Sequence, residues 1–432
     1  MAEANESKRA LLIVFLVVVI DLFGFGIVLP LLPRYTEVYT AGRSENARGV
    51  IIGTLMSSFS AMQFLFAPLW GRVSDRIGRR PVLLIGLGGS VLFYGLFGYA
   101  STFGKDEATM GLILMYISRV GAGLAGATIS TAAAVVADKT TRENRAKGMA
   151  LIGAAFGLGF TIGPLLAFAG SKLFPDARSG PGYLAATLSL VALILGMRLM
   201  PETNRGTSVA RSRDLWKLHG MVAVVRQHSV GLLVISFFMA VFAFANFEGT
   251  LSLLTKSAFE FSDDANYLVF AFVGASLMIA QGVIYRRLVG RFSELTLARS
   301  GLLMMLLGLA SLAAVAGVIS PESRPPLAMT WFLVTLFVAV SGFAFLNPSI
   351  NALISRRSDP TRQGEILGVN QSASALARIL GPAIGNVLFR QTSRHELPYL
   401  VAAGMLLIVL ALSSRLRSGN DVAEDYHAEP AR

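Results

Sequence analysis

Twelve stretches of roughly twenty apolar residues, separated by short polar loops, decide what this chain can fold into. They cover about 11–33, 49–70, 81–101, 110–136, 148–170, 182–200, 229–254, 265–285, 296–318, 327–350, 367–389 and 397–414. Crossing a bilayer core takes about 20 mostly apolar residues in a helix. Backbone N–H and C=O groups cannot be left unpaired in lipid, so each run is read as a spanning helix. The alternating pattern of a membrane barrel is absent. The predicted fold class is therefore all-α integral membrane, with 12 transmembrane helices. Only 15% of the residues are charged, against about a quarter in a soluble domain. The run from Ala10 to Pro33 is too long for a signal h-region and no small-residue cleavage site follows it, so it reads as a first span.

The net charge of +12 is expected in basic cytoplasmic loops rather than at a nucleic-acid surface. One set of loops holds Lys8/Arg9, Arg72/Arg76/Arg79/Arg80, Lys139/Arg142/Arg145/Lys147, the basic stretch 205–226, Arg286/Arg287/Arg291 and Arg356/Arg357/Arg362. The opposite loops hold far fewer. This asymmetry puts both termini on the cytoplasmic side of an inner or plasma membrane. The longest polar connection follows the sixth span and divides the chain into an N-terminal six-helix bundle (1–200), a basic cytoplasmic linker (201–228), a C-terminal six-helix bundle (229–414) and a cytoplasmic tail (415–432). Two echoes support an internal repeat. Gly163-Pro164 returns as Gly381-Pro382, and GRVSDRIGRR (71–80) returns, degraded, as GVIYRRLVGR (282–291). Two pseudo-symmetric six-helix bundles around a central site form a transporter architecture.

Ionisable groups inside a bilayer are costly, so each is a functional candidate. Asp21 lies in span one, Arg119 in span four, Glu248 in span seven and Arg378 in span eleven. All four histidines fall in loops or tails, so any coupled proton must ride on a carboxylate. Asp21 is the first proton-coupling candidate, the alternative being a structural acid that pairs with Arg119 or hydrogen-bonds to neighbouring helices. Glu248 is the second, the alternative being a part of an outer gate. The two arginines keep their charge at any physiological pH. They suit an anionic or zwitterionic substrate, unless Arg119 only steers the nearby acid. Gln63, Asn246, Asn347, Asn351, Asn370, Gln371 and Tyr116 add hydrogen-bonding groups to a substrate cavity. There is no cysteine, no Gly-x4-Gly-Lys-Ser/Thr loop and no His-Glu-x-x-His. ATP hydrolysis, thiol chemistry and a zinc-protease site are not expected, and neither a cofactor nor a metal is called for.

GRVSDRIGRR (71–80) resembles the loop 2–3 signature of the major facilitator superfamily. DLFGFGIVLPLLPRY (21–35) and SALARILGP (374–382) resemble its tetracycline-transporter-like branch of drug:proton antiporters. YISRVGAGLAGAT (116–128) is similar to the span-four motif with an embedded arginine, Arg119, although Ala122 replaces the usual glutamine. GLGFTIGPLLAF (157–168) is similar to the span-five antiporter motif at Gly159, Gly163 and Pro164, with Ala167-Phe168 in place of its trailing glycine pair. The resemblance implies a cytoplasmic gate made by Gly71, Asp75, Arg76, Gly78, Arg79 and Arg80, with Asp138 as the acidic partner of the arginines. The chain departs from the bacterial tetracycline exporters by lacking an acid in span three, a histidine in span eight and an acid within span nine. The expected function is alternating-access, proton-coupled export of small amphipathic organic molecules, drug-like or anionic. The alternatives are a uniporter or symporter of an organic anion, metabolite or lipid-like solute, and a non-transporting sensor or scaffold. Expected partners are a small-molecule substrate, protons and membrane lipids around a monomer, without nucleic acid.

Overall fold

The computed structural model describes residues 2–139, 145–174, 178–203, 228–323, 325–357 and 363–413. The expected linker falls mostly, and the expected tail entirely, outside these residues. Among them the chain is helical, without a named strand, and each of the twelve apolar runs falls on helix. The first part comprises α1 (Ala2–Val28), α2 (Leu32–Tyr39), α3 (Glu45–Ile77), α4 (Arg79–Ala100), α5 (Ala108–Gly126), α6 (Ile129–Lys139), α7 (Arg145–Leu173) and α8 (Gly180–Leu199). The second comprises α9 (His228–Phe259), α10 (Asp263–Ile279), α11 (Glu294–Val318), α12 (Ala328–Arg357), α13 (Gln363–Phe389) and α14 (Leu397–Ser413). Ten helical stretches of the described residues are long and apolar enough to cross a membrane, and Leu397–Ser413 is a shorter apolar helix.

Three runs expected as single helices are interrupted, and in two of them polar side chains meet the freed backbone. The first run turns over residues 29–31, between α1 and α2. There Asn266 donates its amide to the Pro30 carbonyl at 3.3 Å. The fourth run breaks between α5 and α6, next to the glycines of GAGLAG. Trp70 Nε1 donates to the Leu124 carbonyl (2.9 Å) and Gln63 Nε2 to the Gly126 carbonyl (3.2 Å), so α3 supplies partners at the end of α5. A carbonyl left without its helical partner inside a membrane needs such a donor. The eighth run passes from α10 into a π-helical turn, Ala280–Tyr285.

The chain divides into two compact units. Unit 1 holds residues 1–215 together with 261–274, and unit 2 holds 216–260 and 275–432. The sequence reading put the whole run 265–285 in the C-terminal bundle. The first part of α10 groups instead with unit 1 because polar contacts tie it there. Arg34, only 5% exposed, donates to Asp263 and to the Phe261 carbonyl, both at 2.9 Å. Lys172 pairs with Asp264 at 2.6 Å. One core of unit 1 gathers Ile27, Tyr35, Phe59, Tyr94, Phe97 and Met115, and a second gathers Val14, Val17, Leu22, Leu83, Leu87 and Val135.

Candidate functional site

The charged knot at 71–80 is a helix end followed by a helix start. Gly71, expected in the gate, lies inside α3, which stays helical as far as Ile77, and a Cβ at 71 would meet open space. The turn is made by Gly78 alone, at φ 103°, a region that side-chain-bearing residues avoid. Both oxygens of Glu202 close the start of α4, accepting from the backbone N–H of Arg79 (2.9 Å) and of Arg80 (3.1 Å). A carboxylate there satisfies orphan amides and sits well in the helix dipole. The Arg79 guanidinium is buried; it donates to Asp138 (3.2 Å) and to Ser74 Oγ (2.6 Å). Arg80 donates to the Met197 carbonyl and Arg76 is exposed. The side chain of Asp75 lies outside the described residues.

The span-five motif is a backbone contact. A Cβ on Gly163 would lie 2.6 Å from the Gly26 carbonyl carbon, and one on Gly159 would lie 3.0 Å from the Leu22 carbonyl oxygen. Glycines on both helices let α1 and α7 touch main chain to main chain. Pro164 lies inside α7 and removes the N–H that would bond the Phe160 carbonyl. Gly274 of α10 packs on that same carbonyl.

Inside unit 1, Asp21 and Arg119 are not an ion pair. Asp21 is half-buried, has Ser90 as its side-chain hydrogen-bond partner and keeps one oxygen, Oδ1, without any. Tyr94 packs on Gly24 of α1 and feels the charges of both Asp21 and Arg119. Arg119 is 1% exposed, rests 4.5 Å above the Phe59 ring and has two guanidinium nitrogens without hydrogen bonds. The ring face supplies a cation–π contact. Tyr116, expected in the cavity, instead ties α5 to α3 through Thr54 (2.6 Å) and the Ile51 carbonyl (3.0 Å). The Gln63 amide nitrogen is committed to the helix break described above.

Unit 2 presents its polar groups differently. Glu248 on α9 is half-buried, Arg378 on α13 is exposed, and the two lie in each other's electrostatic field. Gln371, two turns before Arg378, is also exposed, and a spacing of seven puts both on one helix face. Phe244 of α9 stacks on Phe343 of α12 with ring centroids 4.0 Å apart. Asn347, Asn351 and Asn370 form a hydrogen-bonded row from α12 to α13. Asn246 is fully buried and donates to the Pro398 carbonyl at 3.1 Å. It packs helices, away from this accessible face. The α9–α13 seam repeats the α1–α7 device, with Gly249 against Pro382 and Gly381 against Ala245. The loop echo keeps a turn glycine as well, Gly290, with a positive φ of 88°.

Paired helical units with glycine seams and buried charges define an integral membrane transporter of the facilitator type. The Major Facilitator Superfamily model matches residues 14–382 and 311–428, and the chain belongs to that family. It is 28% identical to the tetracycline resistance protein, class C, of Escherichia coli, over 94% of this chain and 96% of that protein. It is 29% identical to the major facilitator superfamily domain-containing protein 10 of Bos taurus, over 99% and 96%. Among solved structures it is similar to the human organic anion transporter MFSD10 (TETRAN), with 26% identity, 94% and 99% coverage and a TM-score of 0.65. The D-xylose-proton symporter, at 18% identity, 95% and 98% coverage and a TM-score of 0.78, shares the fold.

Proposed function

We propose that this protein is a proton-coupled exporter of small amphipathic organic anions. The carrying observation is Arg378, a permanent cation exposed in the middle of a span. Such a group faces water or a bound anion rather than lipid, and its guanidinium fork suits a carboxylate or sulfonate. The Phe244/Phe343 stack beside α9 supplies an apolar surface for the rest of the molecule. The similarity to a human organic anion transporter supports the same substrate class. Asp21, half-buried and lacking a cationic partner, is the proton carrier. Arg119, buried against the Phe59 ring, acts on Asp21 through Tyr94 and not on substrate. Residues 1–200 and 229–414 form the two moving bundles, with both termini cytoplasmic. The 71–80 knot latches the cytoplasmic side through Arg79 and Asp138. The working unit is a monomer in lipid.

A second reading, proton symport, is favoured by one observation: the counter-charge of Arg378 is Glu248, so an arriving anion competes with a titratable acid for the same guanidinium. Flux separates the two. Proteoliposomes would be loaded with para-acetylbenzenesulfonate, which does not leak as a neutral acid, and a trapped pH dye. Outward anion flow by antiport acidifies the lumen, whereas symport makes it alkaline. Asp21→Asn should abolish the acidification. Anion efflux without any proton signal would overturn proton coupling.

A further inference from the structure

The asparagine row of unit 2 has a direction, and the backbone sets it. Asn351 Nδ2 lies 2.8 Å from the backbone carbonyl of Asn347 and 2.9 Å from its side-chain oxygen. A backbone carbonyl only accepts, so Asn351 must present its NH2 group there. Its oxygen then faces α13 and accepts from Asn370 Nδ2 at 3.1 Å. The same logic fixes Asn347, whose side-chain oxygen receives the Asn351 amide. Its own NH2 group is left as the end of the row, without a partner among the described residues, on a half-exposed side chain. At the other end Asn370 is 0% exposed and its oxygen has no partner. The three amide dipoles therefore align head to tail, with a buried acceptor at one end and an accessible donor at the other. Aligned amides polarise one another, which strengthens the terminal donor.

Asn347 stands on the accessible stripe of α12 that also carries Phe343, one turn before it, and Asn351, one turn after. Phe343 stacks on Phe244, and Glu248 follows Phe244 by one turn of α9. The donor thus neighbours the aromatic platform, while the anion-binding guanidinium stands on α13, the helix that Asn370 starts from.

We propose that the Asn370–Asn351–Asn347 relay holds the Asn347 NH2 group as a fixed donor to the ligand, so that this transporter selects organic anions carrying a second, neutral hydrogen-bond acceptor. Carbonyl, ether and ester oxygens fit that donor; a hydrocarbon of the same shape does not. The inference rests on the organic-anion reading above and adds what distinguishes one such anion from another. Asn351 and Asn370 are positioning residues, and Asn347 is the contact.

The test compares para-acetylbenzenesulfonate with its isostere para-isopropenylbenzenesulfonate, which lacks the acceptor. Binding is measured by calorimetry on the full-length protein in detergent. The wild type should bind the acetyl compound about fivefold more tightly, the size of one net hydrogen bond. Asn347→Ala should bring that ratio to about one, by weakening the acetyl compound more than the isopropenyl compound. Asn370→Asp, which cannot donate when ionised, should lower the ratio although Asn347 is intact. If that buried change prevents folding, Asn347→Ala at the accessible end still decides. A wild-type ratio near one, or a preference that survives Asn347→Ala, overturns the relay. If both compounds bind and Arg378→Ala removes both, a ratio near one refutes the relay alone. If neither compound binds the wild type, the organic-anion reading falls and takes the relay with it.

Discussion

The two units carry the same ion pair with its charges exchanged. In unit 1, Arg79 at the start of α4 meets Asp138 near the end of α6. In unit 2, Glu294 at the start of α11 meets Arg356 at the end of α12, at 2.6 Å. Glu294 stands 215 residues after Arg79 and Arg356 stands 218 after Asp138, the spacing of the internal repeat. The position is kept and the polarity is not. Burial differs as well: Arg79 is sealed in, and Arg356 keeps 71% of its side chain exposed. The mid-span arginines differ in the same sense, with Arg119 closed over by Phe59 and Arg378 open. Arg79 and Arg119 of unit 1 are thus closed in, while Arg356 and Arg378 of unit 2 are open. That contrast is the basis of the proposed division, with proton handling and latching in unit 1 and ligand capture in unit 2.

The glycine seams give the sharpest way to break the comparison. Gly163→Ala would drive a methyl group into the Gly26 backbone, which cannot move aside without parting α1 from α7. It should cost about 3 kcal/mol, at the upper end for overpacking, read as a large fall in melting temperature. Gly249→Ala meets the Pro382 ring at 3.0 Å, and should cost only about 1 kcal/mol. Equal losses would mean that the two seams are packed alike.

The exchanged ion pairs come next. Asp138→Asn takes a charged partner from the buried Arg79 and should cost about 2 kcal/mol. Glu294→Gln removes a partner from a mostly exposed arginine and should cost under about 0.5 kcal/mol. Thermal melts of both variants at low and high salt check this. A salt-sensitive, costly Glu294→Gln would place a latch in unit 2 as well.

Much of this architecture was legible in the sequence. Length and hydropathy place the helices, and the offset between Gly163-Pro164 and Gly381-Pro382 announces the repeat. The helix breaks were not legible, because an apolar run with glycines reads the same whether or not Trp70 and Gln63 reach across to take its carbonyls. Charge alone found Asp21, Arg119, Glu248 and Arg378, since any ionisable residue in a span stands out. What each one faces depends on neighbours far away in sequence. Tyr94 is 73 residues from Asp21, and no local pattern marks it as a group that feels the charges of both the acid and Arg119. The role of Glu202 was not legible, because it lies in two backbone amides of another helix, those of Arg79 and Arg80. The direction of the asparagine row needed the backbone carbonyl of Asn347, which composition does not reveal.

The most direct test of the division of labour separates binding from coupling in one preparation. Anion affinity would be measured in detergent and proton flux in proteoliposomes, using para-acetylbenzenesulfonate, for the wild type, Asp21→Asn, Arg119→Met and Arg378→Ala. Asp21→Asn should bind the anion within about threefold of wild type yet move no protons. Arg119→Met should keep that affinity while altering the proton signal. Arg378→Ala should lose affinity by about 50-fold, the scale of a lost charge-assisted hydrogen-bond pair, and flux with it. Loss of anion binding in Asp21→Asn or Arg119→Met, with Arg378→Ala unaffected, would contradict the account and place ligand capture in unit 1.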